Sequence, residues 1–325
     1  MKAAMKQEKG MVSVTSLAKY YTTRKAGLFE RPGTIRAVDG VSFTIPVGQT
    51  MGMVGESGSG KTTAARSILR LIEPDAGEIV IGGTKVHELD RKELRDFRKN
   101  MQIVFQDPFS SLNPRMTVEK IITEPLRIHT AMKQAEINSR FEELAGLVGL
   151  EAAHRDRYPH EFSGGQRQRI GIARALALNP RFIILDEPVS ALDMSIQGQI
   201  LNLLSDLQRK LKLTYLFVSH DLAVVEHMSD RIVVMYLGRI VEESSKKSLY
   251  ANPLHPYTQS LMKAIPETRA SRHGFSVIAG EIPSPESPPR GCHFHPRCPC
   301  AMDICGKEYP PVKTVRKARV ACHLY

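Results

Sequence analysis

The eight residues Gly55-Glu56-Ser57-Gly58-Ser59-Gly60-Lys61-Thr62 have the composition and spacing of a loop that cradles the phosphates of a nucleoside triphosphate. Glycines let successive backbone N–H groups turn toward an anion with no Cβ in the way, and a helix N-terminus adds positive potential. Lys61 is expected on the β- and γ-phosphates and the Thr62 hydroxyl on Mg²⁺, with Thr63 in the same phosphate-binding set. A flexible Gly/Ser turn is the bland alternative, and lysine and threonine in register oppose it.

Further along, Phe182-Ile183-Ile184-Leu185-Asp186-Glu187-Pro188 reads as an apolar strand that delivers two carboxylates at its C-terminal end. Ligands of parallel sheets bind at such ends. Asp186 is expected to hold Mg²⁺ through water, while Glu187, facing another way, polarises the water for in-line attack as general base. His220 follows another strand, and a neutral imidazole there can align that water against the γ-phosphate. Gln106, after Met101 to Phe105, can report on Mg²⁺ and water through one amide. Taken singly, a strand-exit acid, a lone histidine and a surface glutamine are usually structural.

These groups need elements to hold them. Gln49 to Val54, Phe182 to Leu185 and Thr214 to Val218 read as buried strands between helical patterns, which implies a parallel α/β core. After Leu192, Ile196, Ile200, Leu203, Leu204, Leu207 and Leu211 share one helical face, with Ser195 placed to cap the first turn. Val12 to Tyr21 and Val41 to Ile45 suggest an antiparallel flank, and Arg115 to Asn179 a helical subdomain. Prolines interrupt the chain after Ile240, and a domain boundary is expected near Ser248, dividing 1–248 from 249–325.

The chain has 325 residues with 42% apolar content and a formal charge of +11. That charge is scattered instead of blocked, so a solvated surface or attraction to a membrane suits it better than nucleic acid. No stretch approaches a spanning helix, and MKAAMKQEKG lacks the apolar run of a secretory signal, which predicts a cytosolic chain.

Phe162-Ser163-Gly164-Gly165-Gln166 lies between the phosphate loop and the acidic strand and narrows the choice among nucleotide binders. GESGSGKT, Gln106, FSGGQ, ILDEP, SALD and His220, in that order, resemble the ATP-binding cassette ATPases over about the first 240 residues. The resemblance implies an α/β P-loop NTPase of the ABC type: a mainly parallel sheet, an antiparallel flank, a helical subdomain and here a Cys-containing C-terminal extension. It further implies two cassettes sandwiching two ATP molecules, with Ser163, Gly164, Gly165 and Gln166 on nucleotide bound to the opposite subunit. Asp193 would sit at the dimer seam, and adenine would stack on Tyr21, with Tyr20 as the adjacent alternative. Phe162 stands where the family often has leucine. Glu187 and His220 are both present, so the cassette is expected to hydrolyse ATP.

Downstream, FQDPFSSLNPR, His255-Pro256-Tyr257-Thr258-Gln259 and the Gly291-Cys292 to Cys298 segment resemble the ATPase subunits of oligopeptide and dipeptide importers. Some relatives in that branch carry nickel or other small solutes. The resemblance implies a second, different ATPase subunit, two membrane permeases and an external solute-binding protein, with this chain peripheral on the cytoplasmic face of the inner membrane. A soluble ATPase acting on nucleic acid or ribosomes is the rival, but the 159 positions from Lys61 to His220 hold no extended heptad insertion.

All five cysteines follow Gly291. Cys292, Cys298, Cys305 and Cys322 supply four thiols with Cys300 to spare, a count that suits an iron–sulfur cluster or zinc. The importer resemblance favours [4Fe-4S]; incidental free cysteines are the third reading.

Overall fold

The computed structural model describes residues 10–23, 33–263 and 280–325. In chain order the first elements are β1 (Val12–Thr22), β2 (Thr34–Ile45), β3 (Thr50–Val54), α1 (Lys61–Ile68), β4 (Ala76–Ile81), β5 (Thr84–Lys85) and α2 (Arg91–Phe97). Next come β6 (Met101–Val104), α3 (Val118–His129), α4 (Gln134–Val148), α5 (Gly164–Leu176), β7 (Phe182–Asp186), α6 (Met194–Leu211) and β8 (Thr214–Val218). The last are α7 (Leu222–Met228), β9 (Arg231–Tyr236), β10 (Arg239–Ser245), α8 (Lys246–Ala251), α9 (Pro256–Lys263), β11 (Val312–Val315) and β12 (Ala318–Ala321).

The chain divides into two units: Met1–Val12, Ile45–Thr50 and Val80–Val218 form one, and Ser13–Thr44, Met51–Ile79 and Ser219–Tyr325 the other. In the first, β6, β7 and β8 run parallel, with Met101 opposite Phe182 and Asp186 opposite Val218. Every residue of β7 and β8 is buried, the near-continuous apolar pattern of a parallel sheet covered on both faces. The expected helical subdomain is present as α3, α4 and α5. Arg140 Nη2 on α4 donates to Leu176 O at 3.1 Å, closing the C-terminal end of α5.

In α6 the buried positions are Ile200, Leu201, Leu204 and Leu207. Ile200, Leu204 and Leu207 lie on the expected stripe, Leu201 joins it, and Leu211 is exposed. Its cap also differs from expectation. Asp193, not Ser195, accepts the Ile196 N–H at 3.0 Å, and the Ser195 hydroxyl donates to Asp193 Oδ1 at 2.8 Å. A carboxylate two positions earlier outcompetes the hydroxyl for the orphan amide.

In the second unit β3 runs parallel to β9, with Met51 opposite Arg231 and Val54 opposite Val234. From there β9, β10, β12 and β11 continue as antiparallel neighbours. Both hairpins turn through paired positive φ angles, Leu237-Gly238 at 42° and 80° and Arg316-Lys317 at 49° and 69°. That geometry matches the right-handed twist of the flanking strands. The flank expected from Val12 to Tyr21 and Val41 to Ile45 is observed as the neighbours β2-β1-β4.

Ser248 lies within the second unit. Residues beyond that point complete the second unit's own sheet: Glu242 lies opposite Val320, and Glu243 pairs with both Arg231 and Arg319 at 2.8 Å. Glu242 itself accepts the Leu254 and His255 N–H groups at 3.0 and 2.8 Å. Prolines marked a change of local structure there, and local composition carries no sign of such distant strand pairing.

Candidate functional site

The phosphate loop leaves the fully buried β3 and enters α1 at Lys61. Its glycines are needed for close approach. A Cβ on Gly55 would lie 2.3 Å from Met235 O, and one on Gly60, at φ 98°, would lie 2.0 Å from Ala37 O. The loop is fastened further by Gly238 N–H donating to Ser59 O at 3.0 Å. The Lys61 ammonium is buried and donates to Gly55 O at 2.8 Å, Glu56 O at 2.9 Å and Ser59 Oγ at 3.4 Å. Ser57 and Gly58 are exposed at the loop tip, and Thr62 and Thr63 are half-buried in the first turn of α1.

Glu56 is held at both ends. Its N–H donates to the Tyr257 hydroxyl at 2.9 Å, and its carboxylate accepts two bonds from Arg297, 2.8 and 3.0 Å. Sequence reading missed Tyr257 and Arg297 as partners of the loop. Both lie in segments read for other reasons, and their separations of 201 and 241 positions leave no local signal.

In the first unit the acidic strand ends as expected. Asp186 is wholly buried, and Glu187 follows in the left-handed region at φ 47° with its N–H donating to Val218 O at 2.9 Å. Gln106 Nε2 donates to Glu187 Oε2 at 2.8 Å, so the structure brings these two expected residues together. The segment after Gln106 is tied to α5 by Arg174 Nη1, which donates to Ser111 O at 2.7 Å. In the first unit Asp186 and Gln106 carry hard oxygen donors of the kind that suit Mg²⁺, and in the second Thr62 carries a hydroxyl of the same kind. His220 is exposed, between Ser219 and the cap residue Asp221 of α7.

Ser163 opens α5 in a reciprocal capping box: its Oγ accepts Gln166 N–H at 3.3 Å while Gln166 Oε1 accepts Ser163 N–H at 3.0 Å. Ser163 and Gly164 remain exposed, so the helix start is presented outward. Gly165 is buried, where a Cβ would stand 2.4 Å from Ile196 Cγ2. Phe162 is buried with its ring edge-on to His154 at 5.1 Å. Asp193 caps α6 and is held below the usual carboxylate range by the Ile196 N–H and the Ser195 hydroxyl.

Of the two candidate aromatics, Tyr20 gives its hydroxyl to Asp39 Oδ1 at 2.8 Å. Tyr21 is 38% exposed with Lys19 Nζ 5.6 Å from its ring centroid.

Among the described residues no three His, Cys, Asp or Glu side chains are grouped so as to hold a metal ion. Burial pushes the Cys292 thiol up to about 11, and it raises Cys298 and Cys322 as well. Cys322 packs with Leu254, Ala318 and Val320 as a small apolar side chain.

Comparison with known proteins adds to this geometry. The family model "ABC transporter" matches residues 38–190, and "Oligopeptide/dipeptide transporter, C-terminal region" matches residues 241–305. The oligopeptide transport ATP-binding protein AppF of Bacillus subtilis is 53% identical over 321 residues, covering 97% of each chain. A putative peptide import ATP-binding protein of Brucella ovis is 52% identical over 313 residues, 95% of this chain and 96% of that one. Among solved structures, a dimeric post-hydrolysis state of the ATP-binding cassette MJ0796, bound to ADP and Pi, is similar with a TM-score of 0.64 and 33% identity. It covers 73% of this chain and 99% of that one.

Proposed function

This chain belongs to the ATP-binding proteins of ABC transporters, and from that premise we propose that it hydrolyses ATP to power the import of peptides. The observation that carries the chemistry is the 2.8 Å bond from Gln106 Nε2 to Glu187 Oε2, which orients a carboxylate standing directly after the buried Asp186. In this reading Glu187 is the general base that accepts a proton from the attacking water, and His220 aligns that water against the γ-phosphate. Gly55 through Gly60 offer N–H groups to the phosphates, and Lys61 moves its ammonium from loop carbonyls to the β- and γ-phosphates. Thr62, Gln106 and Asp186 hold Mg²⁺, which neutralises phosphate charge when bound. The Gln106 amide nitrogen is engaged with Glu187, leaving its oxygen for the metal.

Adenine stacks on Tyr21, because the Tyr20 ring is tethered through its hydroxyl to Asp39. Ser163, Gly164, Gly165 and Gln166 present a capped helix start to nucleotide on a second cassette, and Asp193 lies at the seam between the two cassettes. Peptide as the solute is supported by the names of the relatives and by the C-terminal region match. The full machine then has a second ATPase subunit, two permeases and an external solute-binding protein. No helix among the described residues is long and apolar enough to cross a membrane, which suits a peripheral subunit on the cytoplasmic face. A [4Fe-4S] cluster or zinc stands outside this reading, and iron, sulfide and zinc analysis of the purified protein decides it.

The test is to isolate the tagged chain from detergent-solubilised membranes. Two integral membrane subunits are expected with it; ribosomes or DNA without membrane proteins would overturn the reading.

A further inference from the structure

We propose that the C-terminal region sets the conformation of the phosphate loop, with Arg297 and Tyr257 as positioning residues for nucleotide binding. This rests on the ATPase reading above and concerns how that site is shaped. The loop carries glycines at positions 55, 58 and 60, all at positive φ, so its backbone has few restraints of its own. Glu56 supplies a restraint beside the Ser59–Gly238 bond, because three of its groups are fixed at once. Its carbonyl receives the Lys61 ammonium at 2.9 Å, its N–H donates to Tyr257 Oη at 2.9 Å, and its carboxylate takes both arms of Arg297 at 2.8 and 3.0 Å.

The clamp is itself rigid. The Arg297 side chain is only 4% exposed, and its Nη1 also donates to the Tyr236 hydroxyl at 3.3 Å. Tyr236, Tyr257 and Phe294 pack around one another with centroids 4.7 to 5.3 Å apart. A two-armed pair this shielded from water fixes direction as well as distance, which an exposed pair does not. Losing Arg297 leaves the Glu56 carboxylate half-buried and unanswered, so the loop shifts to rehydrate it and carries the carbonyl that anchors Lys61. Phosphate binding then includes the cost of reordering the loop. Two residues of the extension thus act on the site through Glu56 and Lys61 without touching nucleotide.

Calorimetric titration of MgADP into the full chain tests this with Glu56→Gln, Arg297→Gln and the double variant. Each single change is expected to weaken binding roughly tenfold, and the double no more than either single, since both remove the same contact. In the assembled transporter Arg297→Gln should raise KM for ATP while kcat at saturating ATP stays within about twofold, a split that general loss of fold does not give. Tyr257→Phe removes one hydroxyl and keeps the packed ring, and it should weaken MgADP roughly threefold. Wild-type-like affinity in Arg297→Gln and Tyr257→Phe, or additive losses in the double variant, would overturn the clamp. Failure of the wild-type chain to bind MgADP would instead overturn the ATPase reading itself.

Discussion

Glu187 stands in the left-handed region at φ 47° immediately before Pro188, a backbone that L-residues avoid at a cost of about 1 to 2 kcal/mol. The surrounding structure enforces it: Glu187 N–H is fixed to Val218 O, and its own carbonyl accepts from Ser190. The Glu187 carboxylate accepts from Gln106 Nε2, and such backbone outliers gather at functional sites. Glu187→Gln should therefore keep ATP affinity while lowering turnover by about 10² or more, the usual worth of a general base. A hydrolysis rate equal to wild type would remove Glu187 from that role. The motif residues were legible from spacing alone, because phosphate and Mg²⁺ chemistry restricts residue type tightly. The αL backbone of Glu187 was not, since nothing in Asp-Glu-Pro announces it. His255 was equally silent. Burial lowers its pKa to about 4, and its Nδ1 accepts the Tyr257 N–H, so the ring is held neutral. The unfolded chain takes up that proton near pH 6.5, so stability should fall as pH drops from about 6.5 to about 4, by up to about 3 kcal/mol. Thermal melts across that range check it: His255→Asn should flatten the slope.

At the scale of elements, α5 shows how one helix carries a chemical surface and a packed one. Its capping box leaves Ser163 outward, while Gly165 lets Ile196 of α6 approach closely. Gly165→Ala should destabilise by about 1 to 3 kcal/mol, because the β-branched Ile196 has little rotamer freedom to yield. Gly171→Ala in the same helix meets nothing within 4 Å and should stabilise by up to about 1 kcal/mol. Chemical melts of the two variants give opposite signs if this packing is right. Periodicity located α6, yet its cap went to Asp193 over Ser195, because both residue types cap and only the backbone path selects one. The C-terminal strands were illegible for a related reason. Glu242 and Glu243 look like surface residues, and their burial depends on partners as distant as Arg319.

At the scale of the whole molecule, the outward-facing Ser163 cap is where the proposed second cassette would bring its nucleotide. Ser163→Asp keeps a capping side chain and places a carboxylate where the partner's γ-phosphate would lie. Hydrolysis in the assembled pair should fall by an order of magnitude or more, with MgADP binding by this chain unchanged. Equal activity would separate the Ser-Gly-Gly-Gln turn from the partner's site. Family membership and the peptide-importer branch were readable in the motifs, whereas the specific solute was not, since none of the phosphate-binding residues meets it. The central claim, that ATP turnover on this chain drives peptide uptake, is tested most directly by rebuilding the complete transporter in sealed vesicles with ATP on the side of this subunit. Labelled peptide should accumulate with ATP and cease to do so when the chain carries Glu187→Gln. Undiminished accumulation with Glu187→Gln, or ATP hydrolysis by the wild-type complex with no peptide entering, would contradict it.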